Sequence, residues 1–373
     1  MKILRVASDL YPAFVGGLAL HVHELSDMQG KDGNEVTVYT SVWTDEPLYE
    51  QRENYDVIRF KGPVVFRNSI TPGLFFKLLS EADKYDVVHA HSQLYCSTLF
   101  CAIAKRIKKF PLVITNHGVV SSTVPFWIHK IYMPTVGKFV LRSADCVISY
   151  TEEDKMSLIQ YGAKPSTLAV IHNGIKLDKF LELPASSKKK QILWIGKHVP
   201  GKGGEYMITA FSQFSKTYPE YSLLMIGKGP LKDQVLSQID DLGLSTRVTM
   251  IDFVPNDELP AIYAESMVFV LSSLAEGIPK TLLEAMVCGL PVISTNIPHL
   301  VSLVDDCGIV VPMMNSTAIS EALVRLIENP KFMAKCGVNG RERILKNYDW
   351  GDTVIKTTVV LEKVVSNSGG NPS

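Results

Sequence analysis

Short apolar runs alternate with longer mixed stretches along almost the whole chain. Residues 2–7, 35–40, 86–91, 112–115, 144–149 and 168–171 are apolar runs of strand length, and residues 18–29 and 152–161 read as helices between them. A polar break follows at 182–190, with Pro184, Ser186, Ser187 and three consecutive lysines, and reads as a solvated linker. The pattern then restarts. Residues 191–195, 221–226, 248–253, 269–271 and 308–312 read as strands, and 257–264, 317–328 and 332–347 as helices. Residues 366–373 read as a frayed polar tail. Strands and helices in alternation predict parallel sheets covered by helices. A restart after a polar break predicts two domains, which suits a chain of 373 residues.

The densest chemistry lies in 269–296, FVLSSLAEGIPKTLLEAMVCGLPVISTN. It reads as strand, loop, helix, turn, strand. Pro279 suits the first helical position, where a missing N–H costs nothing. Residues 281–287 continue the helix, and Gly289 reads as its C′ stop. The loop carries Glu276 and the helix carries Glu284, eight residues on. Free N–H groups at the helix start attract anions. One unit thus offers an anion site with a carboxylate on either side, which is the layout of sugar, diphosphate and ribose. The plainer reading is a surface helix with a Lys280–Glu284 pair.

EGIPKTLLEAMVCGLPVI resembles the E-x7-E region of retaining glycosyltransferases of the GT-B fold, most closely those of family 4. The resemblance implies that Glu276 contacts the donor sugar and Glu284 the ribose, with Gly277, Ile278, Lys280 and Thr281 lining the donor between them. Ile278-Pro279 stands where most members have Phe-Gly. Residues 196–203, GKHVPGKG, fit the spacing of a phosphate loop, but Gly203 replaces the Ser or Thr that would hold magnesium. The run is instead similar to the family's G-R…K-G element, which implies donor phosphate contacts from Lys202 and Lys197. Lys197 keeps the charge of the usual Arg and loses its bidentate fork. The turn 227–230, GKGP, lacks the third glycine of a dinucleotide fingerprint and matches the family's G-x-G-P.

In the first half, Gly16-Gly17 lies between a strand and a helix. Two readings stand: a tight turn, or a backbone that approaches a phosphate. The resemblance implies that the pair faces the donor diphosphate. The segment 115–118, TNHG, is similar to the family's T-x-H-G, which implies that His117 contacts the transferring sugar. His89 and His91 form a His-x-His pair at a strand end, on one face of the strand. No third metal ligand is evident beside them, so no metal site is expected, and the resemblance reads the pair as structural or pocket-lining. Residues 121–143 mix aromatic and aliphatic side chains with cations, and Lys105, Arg106, Lys108 and Lys109 precede them. Ordinary core helices with outward lysines explain this mixture, and so does a membrane-surface helix. The segment 172–175, HNGI, is similar to the family's N-G-[IV]-D crossing between domains, and with Asp349-Trp350 it completes a resemblance that extends to Trp350.

Bulk properties narrow the partners. Lys+Arg and Asp+Glu both number 38, which argues against a polyanion such as nucleic acid. The six cysteines form no C-x-x-C pair and read as reduced core thiols. The first twelve residues read as a strand and not a leader, and no run reaches the ~18 apolar residues of a membrane span. A cytoplasmic protein is expected, with peripheral contact at the inner face of the cell membrane if 121–143 is a surface helix.

The resemblance therefore implies an α/β GT-B architecture, with two doubly wound Rossmann-like domains facing a central cleft. Residues 1–174 would hold the acceptor and 175–351 the donor, with 352–373 crossing back to complete the first domain. The expected reaction moves a hexosyl unit with retention from a nucleotide diphospho-sugar, a UDP-sugar first and GDP-mannose next. A glycan, lipid or lipid-linked glycan would accept it, and neither metal nor cofactor is expected. His117, Glu276 and Lys202 are the expected catalytic residues. A GT-B sugar-nucleotide epimerase and a non-catalytic nucleotide-sugar-binding subunit are the alternatives.

Overall fold

A computed structural model describes residues 1–14, 16–66, 68–119, 124–181 and 187–369. Positions 121–123 of the mixed aromatic segment, 182–186 of the linker and 370–373 of the tail fall outside them. The chain divides into two compact units. Unit 1 is Met1–His172 with Asp352–Ser373, and unit 2 is Asn173–Gly351.

Unit 1 is built on an eight-stranded sheet. Its strands are β1 (Lys2–Val6), β2 (Glu35–Ser41), β3 (Tyr49–Gln51) and β4 (Asp56–Phe60); β5 (Val64–Val65) and β6 (Asn68–Ser69) form a separate small ribbon. The sheet continues with β7 (Val87–His91), β8 (Leu112–Thr115), β9 (Cys146–Ser149) and β10 (Leu168–Val170). The spatial order is β10-β9-β8-β7-β1-β2-β4-β3, parallel throughout except at β3. All five positions of β7 and all four of β8 are buried, as befits a parallel sheet covered on both faces. The closing helix Trp350–Asn367 covers one face with Leu361, Val364 and Val365, against Ile3, Val36, Val87 and Val113. That helix runs to Asn367, so the tail expected from 366 begins later.

The segment between β8 and β9 splits in two. The helix Phe126–Tyr132 exposes Trp127 and Ile131, one turn apart. A π-helical turn, Met133–Gly137, then contains Pro134, which lacks the N–H of a regular helix, and Lys138 N–H reaches back to the Met133 carbonyl. Met133, Val140 and Leu141 are fully buried, so the second half belongs to the core.

Unit 2 carries six parallel strands: β11 (Gln191–Ile195), β12 (Ser222–Ile226), β13 (Val248–Ile251), β14 (Val268–Leu271), β15 (Val292–Thr295) and β16 (Gly308–Val311). Their order is β13-β12-β11-β14-β15-β16. Numbered from β11, this is 3-2-1-4-5-6, the order of doubly wound dinucleotide folds, with the reversal between β11 and β14. Ligands in such sheets bind beyond the carboxyl ends of the strands at that reversal.

Two local expectations need correction. Pro279 is the N-cap of the helix Lys280–Val287 and not its first residue, because its ψ of 116° is extended. Gly289 does sit at C′, with φ of +73°. The lysines that close the linker are also more than solvated. Lys188 donates to the Ser266 carbonyl at 2.8 Å, Lys189 pairs with Glu265, and Lys190 lies 3.2 Å from Glu220. These contacts tie the start of β11 to its own unit.

Candidate active site

The reversal in unit 2 is formed by two loops. One follows β11 and contains Lys197 and Lys202; the other follows β14 and contains Glu276. Lys202 Nζ donates to Glu276 Oε1 at 2.5 Å, and the Ser273 hydroxyl donates to the same oxygen at 2.6 Å. Backbone contacts fix both loops. Leu274 N–H reaches the Gly201 carbonyl at 2.8 Å, the Ser272 hydroxyl donates to the Gly203 carbonyl at 2.8 Å, and Trp194 Nε1 donates to Ser272 Oγ at 3.0 Å. The Thr295 hydroxyl at the end of β15 donates to the Ser273 carbonyl.

Gly203 explains why no magnesium-binding hydroxyl stands there. Its φ is +70°, and a Cβ at this position would lie 2.1 Å from the Ser272 carbonyl oxygen. Only glycine lets the start of the helix Gly204–Thr217 press this closely on the end of β14. The turn at 227–229 supports the same loop, with Gly196 N–H on the Ile226 carbonyl at 2.9 Å and His198 N–H on the Lys228 carbonyl at 3.1 Å. Lys197 is exposed beside it.

The helix Lys280–Val287 begins at the same end of the sheet, and no side chain caps its N-terminus. Gly277 is exposed, and its carbonyl accepts from His299 Nε2 at 2.8 Å. Ile278 packs against the core, while Thr281 is half-buried. Lys280 Nζ lies 5.8 Å from the centre of the Trp350 ring, a cation–π contact. Glu284 Oε2 accepts from the fully buried Tyr263 hydroxyl at 2.9 Å. Burial raises the Glu284 pKa, opposed by the Tyr263 hydroxyl and the charges of Lys280 and Lys179. Sequence spacing pointed to both glutamates. It missed Ser273, Tyr263 and His299, whose only signals are polar groups at the ends of other elements.

Unit 1 has its own reversal, between β1 and β7. Gly16 caps the helix Gly17–Lys31 with φ of −169°, extended backbone open to any residue, so the pair is not a left-handed tight turn. No side chain caps this helix, and an added Cβ on Gly17 would meet nothing within 4 Å. Among the described residues, the N-cap adds no side-chain acceptor to the N–H groups of the first turn.

Four imidazoles gather at the carboxyl ends of β7 and β8. His89 lies deepest, with Nε2 2.7 Å from Thr115 Oγ1. His91 Nδ1 is 2.9 Å from His117 Nε2. Tyr150, just past β9, places its hydroxyl 3.1 Å from His117 Nδ1, 3.3 Å from His117 Nε2 and 3.4 Å from His21 Nδ1. His21 comes from the second turn of the helix Gly17–Lys31, and its ring centre is 5.0 Å from that of His117. The sequence offered no third imidazole beside the His-x-His pair. The fold supplies two, and it pairs them with His91 and not with His89. Burial lowers the pKa of His89, His91 and His117 well below the usual value, and neighbouring positive charge adds to the effect. Arg5, buried beneath them, is itself pushed down to about 9 by burial. The three histidines are neutral at pH 7.

Comparison with known proteins places this geometry in a family. The family Glycosyltransferase Family 4 matches residues 15–179, and Glycosyl transferases group 1 matches residues 177–343. An uncharacterized glycosyltransferase of Methanocaldococcus jannaschii is 28% identical, over 99% of this chain and all of its own. A GDP-mannose-dependent alpha-(1-6)-phosphatidylinositol monomannoside mannosyltransferase of Mycolicibacterium smegmatis is 25% identical, over 85% of this chain and 87% of its own. Among solved structures, HepE of Anabaena in complex with UDP superposes with a TM-score of 0.80 at 21% identity, covering 97% of this chain and 100% of that one. The chain belongs to the family 4 glycosyltransferases and has the GT-B fold.

Proposed function

We propose that this glycosyltransferase moves a hexosyl unit, with retention and without a metal, from a nucleotide diphospho-sugar to a glycan, lipid or lipid-linked acceptor. Unit 2 holds the donor and unit 1 the acceptor. A UDP-sugar is the favoured donor and GDP-mannose the second choice. In support, HepE was solved with UDP, and the mycobacterial relative is GDP-mannose-dependent.

The observation that carries this reading is the Lys202–Glu276 pair at the reversal of unit 2, with Glu284 on the adjoining helix. Before a donor arrives, lysine and carboxylate hold each other in place. A diphosphate brings more negative charge than one carboxylate, so it takes over the Lys202 ammonium. Glu276 is then released to accept hydrogen bonds from the sugar hydroxyls. Lys197 and the N–H groups at the start of the helix Lys280–Val287 add further positive potential. Charge that develops on the leaving diphosphate meets fixed cations and dipoles, the arrangement that stabilises such a transition state. Glu284 accepts from the ribose hydroxyls on its other side. His117, neutral, offers the sugar a hydrogen bond and no charge. The departing phosphate oxygen takes the acceptor proton as the new bond forms on the same face.

The test is Lys202→Ala. Loss of one such contact costs roughly 100-fold or more in kcat/KM, and donor affinity falls with it. Unchanged transfer and unchanged donor affinity would contradict the assignment. A lipid acceptor would bring unit 1 to a membrane. The exposed Trp127 and Ile131 beside exposed Lys130 support that placement. The chain should float with anionic liposomes, less so as Trp127→Ala; sedimentation away from them would remove the membrane contact.

A further inference from the structure

We propose that His21, His91 and His117 form a binding site for a divalent transition-metal ion of the zinc type, with the Tyr150 hydroxyl beside them. Each of the three histidines offers one ring nitrogen, and these nitrogens all lie within 4.8 Å of one another. They come from three separate elements, so the fold and not local sequence brings them together. Ligands at about 2.1 Å from an ion are separated by roughly 3.0 Å at right angles and roughly 3.4 Å in a tetrahedron. The ligand pair in direct contact falls close to this range. His91 Nδ1 to His117 Nε2 is 2.9 Å, and Tyr150 Oη lies 3.1 Å from His117 Nδ1, where it can accept that ring's N–H, and 3.4 Å from His21 Nδ1.

The chemistry of the donor set also fits. Imidazole nitrogen is a preferred ligand for zinc, cobalt, nickel and copper ions and a poor one for magnesium and calcium. An ion on His91 Nδ1 leaves that ring's proton on Nε2, and an ion on His117 Nε2 leaves its proton on Nδ1. Coordination thus replaces the single shared proton between the two rings without placing charge on either. His89 is not a ligand, because Thr115 holds it in the layer below.

Bound there, the ion would occupy the His117 nitrogen that transfer requires, so it would inhibit and not activate. That consequence rests on the proposed role of His117; the binding itself does not. The test therefore reads binding on the full chain, treated with chelator and then given zinc chloride alone in a calorimeter at neutral pH. One ion per chain is expected, with roughly 100-fold weaker binding in His21→Gln and His91→Gln. Cobalt chloride provides a second readout that needs no variant. The wild-type protein should develop the intense visible bands of a low-coordinate cobalt ion with nitrogen ligands. Binding that survives both substitutions would overturn the site, as would a cobalt spectrum no stronger than that of the hydrated ion.

Discussion

Four buried ionisable groups, one glutamate and three histidines, set the chemistry at the level of single residues. Glu284 is held by Tyr263, which fixes one carboxylate oxygen and leaves the other for a ligand. His89, His91 and His117 are held neutral by burial. In the unfolded chain each imidazole takes up a proton below its ordinary pKa of about 6.5. Below that value the unfolded state binds more protons than the folded one. The contribution of these histidines is therefore complete above pH ~6.5 and is lost as the pH falls through it, at up to about 1.4 kcal/mol per pH unit for each. Calorimetry should find a lower melting temperature at pH 5.5 than at pH 7.5, and the difference should shrink in His89→Gln. An equal melting temperature at both would contradict the neutral assignment. Spacing brought out Glu276 and Glu284, which lie on one βα unit, and the family resemblance brought out Lys202. His21 gave no such signal. It meets His117 only after the sheet forms, and on its own it was one polar position in an amphipathic helix.

Elements were legible where the apolar pattern was pure. β8 and β11 were expected at their observed limits. β4 was not, because DVIRF turns Arg59 inward, where Glu46 lies 3.2 Å away and Glu50 also pairs with it. A buried ion pair breaks the apolar rhythm that marks a strand. The helices Pro72–Glu81 and Cys96–Lys108 were also passed over. The loop between β11 and its helix shows the opposite case, in which one residue decides an element. Gly203→Ala would need a left-handed backbone and would drive a methyl group into the Ser272 carbonyl. It should destabilise the protein by roughly 3 kcal/mol. Denaturant unfolding checks this; a loss below about 0.5 kcal/mol would mean that the loop does not need glycine.

For the molecule as a whole, the alternation of strands and helices carried the architecture, and the motifs carried the family. Two doubly wound units of a GT-B glycosyltransferase follow from sheet order and from the matched families together. What the sequence could not give was the contact between distant side chains, such as Lys202 with Glu276 across 74 positions. The central claim is that unit 2 binds a nucleotide diphospho-sugar with Glu284 on the ribose. Its most direct test is a thermal-shift panel of UDP, GDP, ADP, UDP-sugars and GDP-mannose, on the wild type and on Glu284→Ala. Binding to the folded state raises the melting temperature by mass action. The account predicts a rise with one nucleotide family, UDP first, that disappears in Glu284→Ala. No rise with any nucleotide, or an undiminished rise in the variant, would contradict it.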